Sequence, residues 1–258
     1  MTTTTILLLA LAAFAAGLVD AIAGGGGLVT VPALLAAGLP PQVALATNKG
    51  QASFGAISSF ASFWARDGID RHRAPLGFVF GFVGSITGAQ VLLLIRPEPL
   101  KPIVLVLLLV AAGVVAYPRR RPSSPRADAG PQAAEAKAWA MKALPGIAFG
   151  LGFYDGFFGP GVGSMLIVAF VLVFGDALTR ASGNAKVVNL ASNLAALLLF
   201  SLKGAVLWKI ALPMAAANAS GAFVGAKLAI KRGDKLVRFV VLCVVAVLVV
   251  KMAWDLVR

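Results

Sequence analysis

Residues 17–32 read GLVDAIAGGGGLVTVP, and residues 152–164 read GFYDGFFGPGVGS. In each segment an aspartate stands four positions before the first glycine of a break, and each break interrupts an apolar stretch of about 33 residues, 6–38 and 143–175. A single helix of that length would rise about 50 Å, whereas a bilayer's hydrocarbon core is about 30 Å thick. Glycine and proline inside a helix also cost roughly 1 and 3 kcal/mol relative to alanine. Each stretch is therefore expected to form two short helices joined at the break, a hairpin. Ala21-Ile22-Ala23 also resembles a signal-peptide cleavage site. The leading Met1-Thr2-Thr3-Thr4-Thr5 has no basic residue, however, and the same break recurs in the second half, so the hairpin is preferred.

Composition places these hairpins in a membrane. Of 258 residues 59% are hydrophobic and only 13% charged, with a mean hydropathy of +0.91. A soluble domain carries about 25% charged residues, so too little polar surface remains here to cover a globule. One cysteine, Cys243 in an apolar run, and one histidine, His72 in a basic loop, exclude a disulfide scaffold, a zinc site and Cys/His nucleophilic chemistry. No metal, cofactor or enzymatic activity is expected. Six further stretches have spanning length: 42–65, 74–95, 102–117, 184–202, 206–228 and 237–256.

The net charge of +13 is expected to reflect orientation. Loops 66–73, 117–142 and 227–238, together with Arg180, hold 15 of the 23 basic residues, and the positive-inside rule makes them cytoplasmic. An even number of crossings must lie between two cytoplasmic loops, so stretch 143–175 has to enter and return. That leaves little of the charge for a nucleic-acid partner. Residues 118–142, rich in Pro, Ala and charge, read as a flexible cytoplasmic linker between a first repeat, 1–117, and a second, 143–258. The expected fold is an all-α membrane protein of two inverted repeats, each a glycine-broken hairpin plus three transmembrane helices, with both termini outside.

The repeat extends beyond the breaks. Thr47-Asn48-Lys49 follows the first and Gly183-Asn184-Ala185-Lys186 the second, with Asp-to-Asn separations of 28 and 29. The pattern Gly17–Pro32 with Ala46–Gly55, and its echo in Gly152–Gly163 with Asn184, Lys186 and Asn189, resembles the TauE/SafE family of membrane transporters, also called the sulfite exporter family. The second break reads GPGVG where the family pattern is richer in glycine. The resemblance implies a bacterial inner-membrane permease for sulfite, sulfonates such as sulfoacetate, thiosulfate or related anions.

Irregular backbone at membrane depth must be buried in protein or line an aqueous cavity. The helices that begin near Leu28 and Ser164 would aim their unpaired N–H groups at the breaks, a setting that attracts anions. Gly25, Gly26, Gly27, Gly161, Gly163 and Ser164 are therefore assigned to substrate binding, with Asn48, Lys49 and Gln51 from the first half and Asn184, Lys186 and Asn189 from the second. Lys186, Asn189 and Asn193 share one helical face. Alternatives stay open: the amides as caps or helix bridges, the lysines snorkelling to an interface, and Asp20 and Asp155 as partners of those lysines or as proton-coupling groups. Gly77, Gly81, Gly84 and Gly88 read as close helix packing, and Trp64, Trp139, Trp208 and Trp254 as interfacial anchors. The expected partners are a small anion, lipid and a coupled proton, with a homodimer allowed. A passive anion channel and a non-transporting scaffold subunit are the competing functions.

Overall fold

The computed structural model describes residues 2–96, residues 99–110 apart from 101, 105 and 109, and residues 131–232, of which 131–137 are described by backbone alone. The expected span 237–256, the end of the span 102–117, residues 118–130 of the linker, Cys243 and Trp254 lie outside the described residues.

All regular structure among the described residues is helical. The helices are α1 (Thr3–Ala23), α2 (Gly27–Ala36), α3 (Pro41–Trp64), α4 (Ala74–Leu94), α5 (Pro131–Phe157), α6 (Val162–Phe174), α7 (Leu178–Leu202) and α8 (Trp208–Arg232). Further helical residues occur between 99 and 110. Three of these helices, α1, α4 and α7, are long and apolar enough to cross a membrane. The surface matches that environment, since Leu7, Leu8, Leu11, Val79, Leu198 and Leu212 are exposed while Lys49, Asp155 and Lys186 are buried. Apolar outside and polar inside is the distribution a lipid solvent selects.

Both breaks fall where the sequence places them, but the hairpin arms are unequal. The first arms, α1 and α5, have 21 and 27 residues and rise about 31 and 40 Å. Only the second arms are short: α2 and α6, with 10 and 13 residues, rise about 15 and 20 Å and do not reach across a hydrocarbon core. The expectation of two short helices per hairpin is corrected accordingly. On the first arm, Thr2 caps α1 by accepting the Thr5 N–H at 3.3 Å, and the apolar run continues unbroken to Gly24. On the second, α5 begins at Pro131, which suits a first helical position, and residues 133–144 (AAEAKAWAMKAL) are strong helix formers. Residues 131–142, placed in the linker by composition, are thus helical.

The packing of one half recurs in the other with partners exchanged. Helix α8 runs along α1 and α4 runs along α5, α3 packs on α8 and α7 on α4, and α3 meets α7 between them. The contacts are close because glycines face backbone. A methyl at Gly221 would lie 2.1 Å from the Phe14 carbonyl oxygen, and one at Gly84 would lie 2.2 Å from that of Phe149. Gly81 meets Val188 and Gly88 meets Phe153 in the same way, so the stripe on α4 is a packing surface.

Candidate functional site

The two breaks meet. Gly24 has φ +75°, a conformation that strains any side chain, and a methyl there would lie 2.2 Å from the Ser164 nitrogen. Gly27 approaches Pro160 as closely as a Cβ would permit, 3.1 Å to its Cα. Side chains of the second half satisfy the last carbonyls of α1: Ser164 Oγ donates to Ala23 O at 2.9 Å and Ser182 Oγ to Ile22 O at 3.1 Å. Within the second break the Tyr154 hydroxyl donates to Pro160 O at 3.0 Å.

Between the breaks lies a cavity of about 30 Å³, lined by Asp20, Gly25, Gly26, Gly27, Asn48, Lys49, Gln51, Asp155, Gly161, Gly163 and Asn189. That volume holds about two waters. Eleven of the sequence-assigned positions therefore converge on one space. Gly159, Val162, Ala52, Asn193 and Asn218 complete the lining without having been assigned. Asn193 and Asn218 carried a usable signal, because an amide inside an apolar helix is costly unless it bonds. Here Asn193 Nδ2 donates to Asn189 O at 2.7 Å, and Asn218 Nδ2 donates to Ala13 O at 3.0 Å.

The charged groups pair across the halves. Lys49 Nζ, on α3, donates to Asp155 Oδ1, on α5, at 2.5 Å, with side-chain exposures of 4% and 3%. Lys186 Nζ, on α7, lies 2.9 Å from Asp20 Oδ2, on α1, and donates to the Asp20 carbonyl as well. Both lysines sit mid-helix and are buried, which removes snorkelling as their explanation. Asp155 accepts further from Ser192 Oγ and, at 3.4 Å, from Asn189 Nδ2. Asp20 Oδ1 accepts the Gly26 N–H at 3.2 Å, which ties the first break to its own helix. Around the cavity, Asn48 Oδ1 accepts from Thr30 Oγ1 at 2.6 Å and Gln51 Nε2 at 2.8 Å. Gln51 Oε1 is buried without a partner. A buried polar atom left unpaired is rare and marks a place where something else binds.

Three assigned residues do not line the cavity. Ser164 is engaged with Ala23, and Lys186 stands behind Asp20. Asn184 faces away: its Oδ1 accepts the Asp70 N–H and its Nδ2 donates to Asp176 Oδ2, both at 2.7 Å. It belongs to a clamp in which Arg73 binds Asp70 at 2.7 Å and Asp176 at 2.9 Å and lies 4.6 Å over the Phe174 ring. Partial burial pushes the Asp70 carboxyl up, but the Arg73 guanidinium and the N–H groups of Arg73 and His72 outweigh it and hold the group below its ordinary value of 3.8. The position in the first half that corresponds to Asn184 is Thr47, whose Oγ1 accepts the Leu207 N–H at 3.2 Å.

The motifs that form the two breaks carry the resemblance to the TauE/SafE family, and comparison with known proteins agrees on the family. The model of the family described as sulfite exporter TauE/SafE matches residues 9–252. The chain belongs to the TauE/SafE family. A probable membrane transporter protein YfcA from Escherichia coli (strain K12) is 38% identical over 249 residues, covering 94% of this chain and 87% of the relative. A probable membrane transporter protein from Haemophilus influenzae is 36% identical over 248 residues, covering 94% and 92%. A third, ORF9 from a Sinorhizobium species, is 34% identical over 245 residues, covering 95% and 90%. No solved structure matches the chain. This TauE/SafE protein is thus a multi-pass membrane transporter.

Proposed function

We propose that this TauE/SafE protein is a secondary transporter, a permease or exporter of the bacterial inner membrane, for small sulfur-containing anions such as sulfite, sulfoacetate or other organosulfonates. It works by alternating access around the cavity at the two breaks. The observation that carries this reading is a buried ammonium, Lys49, lining a cavity whose other walls are mostly glycine backbone and amides, with the carboxylates of Asp20 and Asp155 each held by a lysine. The N-termini of α2 and α6 open at the same cavity and add partial positive charge, a setting suited to oxyanions.

The exchanged packing of the two halves supports inverted repeats, whose orientation the basic loops set with the linker in the cytoplasm. Rocking of one half against the other would expose the cavity to each side in turn. Two lysines and two aspartates leave the site neutral, so an entering anion brings uncompensated charge into a low-dielectric space. A proton that travels with the anion removes that cost. Asn184, Lys186 and Ser164 act in this reading as supports that hold the breaks and loops, while Asn48, Lys49, Gln51 and Asn189 meet the substrate.

Thermal denaturation of purified protein with sulfite, thiosulfate, sulfoacetate, taurine and sulfate tests it. A ligand at 100 times its Kd stabilises by about 2.7 kcal/mol. Sulfite or a sulfonate is expected to raise the melting temperature of the wild type but not of Lys49→Gln. Equal shifts in both proteins would move the binding site elsewhere.

A further inference from the structure

The two crossed ion pairs are not equivalent, although the sequence places them at matching positions. We infer that they divide the work: Lys49–Asp155 is the pair that opens to admit the anion, with Asp155 carrying the coupled proton, and Lys186–Asp20 is a fixed strut. This rests on the transport reading above and assigns its coupling group.

Four observations separate the pairs. Lys49 lines the cavity, and its Nζ would lie 3.2 Å from a methyl at Gly159, so the ammonium borders both the second break and the open space. Lys186 has no exposed side-chain area and does not line the cavity. Its ammonium is spent on Asp20 alone, on both the carboxylate and the carbonyl, while the other Asp20 oxygen holds the Gly26 N–H. Releasing Lys186 would therefore loosen the first break itself, which the site needs intact. Asp155, by contrast, keeps donors from Ser192 and Asn189 when Lys49 leaves, so its partners persist through an exchange.

The exchange balances simply. The anion takes the Lys49 ammonium as its counter-ion, Asp155 loses that counter-ion, and a proton from water on the loading side converts its carboxylate to the acid. The charge of the site with one bound monoanion is then unchanged. The groups facing Asp155 are Lys49 on α3, Ser192 and Asn189 on α7 and, farther off, the Asp20 carboxylate on α1. The Tyr154 hydroxyl on the same helix is within electrostatic reach of Asp155 but donates to Pro160 O, and on α4 Ser85, which donates to the Ser192 carbonyl, and Gly88, which packs on Phe153, are uncharged. On unloading the proton leaves, and Lys49 returns to Asp155.

Proton uptake on ligand binding reads this directly. Methanesulfonate is a monoanion that does not titrate near neutral pH, so it serves as the probe, added to the full chain in weakly buffered detergent with a pH indicator. Wild type is expected to take up about one proton per bound methanesulfonate, and Asp155→Asn none. Ser192→Ala removes a donor to the ionised carboxylate and should move the half-uptake pH upward, which keeps a test available should Asp155→Asn fail to fold. Uptake that survives in Asp155→Asn, or a half-uptake pH unmoved in Ser192→Ala, overturns the division of labour. Failure of the wild type to bind thiosulfate, sulfite or a sulfonate overturns the transport reading itself.

Discussion

Lys49 and Asp155 are each almost wholly buried, so neither tolerates the loss of the other. Breaking a buried pair by removing one partner costs about 3–5 kcal/mol, because the charge left behind loses its counter-ion and keeps only neutral donors. Lys49→Met should destabilise by that amount in a detergent melt, and adding Asp155→Asn should recover most of the loss, since the double variant leaves no stranded charge. Neither variant should bind sulfite. A single variant as stable as the wild type would mean that the pair is not buried in the folded protein. Asp70 offers a second residue-level test. Its folded-state value lies below the unfolded one, so its contribution is present above about pH 4 and is lost as pH falls through the folded value. Between pH 5 and 8 the contribution of Asp70 should therefore be constant, with Asp70→Asn less stable than the wild type throughout, and below about pH 4 the wild type should lose the stability that Asp70→Asn has already lost. Identical acid profiles for the two proteins would contradict the clamp with Arg73.

At the scale of elements, the glycines on α4 and α8 decide how closely the halves approach. Gly84→Val would push a side chain into the Phe149 carbonyl, and Gly221→Val into that of Phe14. Each should cost about 3 kcal/mol or more, at the upper end for overpacking, because the obstacle is backbone with no rotamer to yield. Matched losses in the two variants are expected from the exchanged packing, and a large loss in one with none in the other would argue against it. The break is more demanding still. Gly24→Ala combines a strained φ with an approach of 2.2 Å to the Ser164 nitrogen, so the two breaks can no longer touch. Loss of thiosulfate binding is expected even where the variant survives purification. Binding at wild-type strength would show that the contact between breaks is dispensable.

At the scale of the molecule, the breaks, the helices over 42–65, 74–95, 184–202 and 206–228 and the buried Asp and Lys positions were legible because polar residues and glycines inside apolar stretches have few cheap explanations. The crossing of the pairs was not, since Lys49 and Asp155 are far apart in sequence and no spacing rule connects residues on different helices. Asn184 misled for a related reason. Its alignment with Asn48 matches residue type, whereas in three dimensions Lys186 corresponds to Lys49, which leaves Asn184 opposite Thr47; both of these accept a loop N–H. The unequal arms were hidden because apolarity marks membrane depth but not where a helix begins, and the helix-forming run at 133–144 extends α5 back through residues taken for linker. What unites these scales is a cavity between two breaks whose lining, among the described residues, includes one ammonium, that of Lys49. Counterflow of ³⁵S-sulfite in proteoliposomes tests it most directly. Internal unlabelled sulfite should accelerate uptake of external label by the wild type, and Lys49→Gln should reduce that uptake to the level of protein-free vesicles. Wild-type uptake no faster than in empty vesicles, or undiminished uptake by Lys49→Gln, would contradict it.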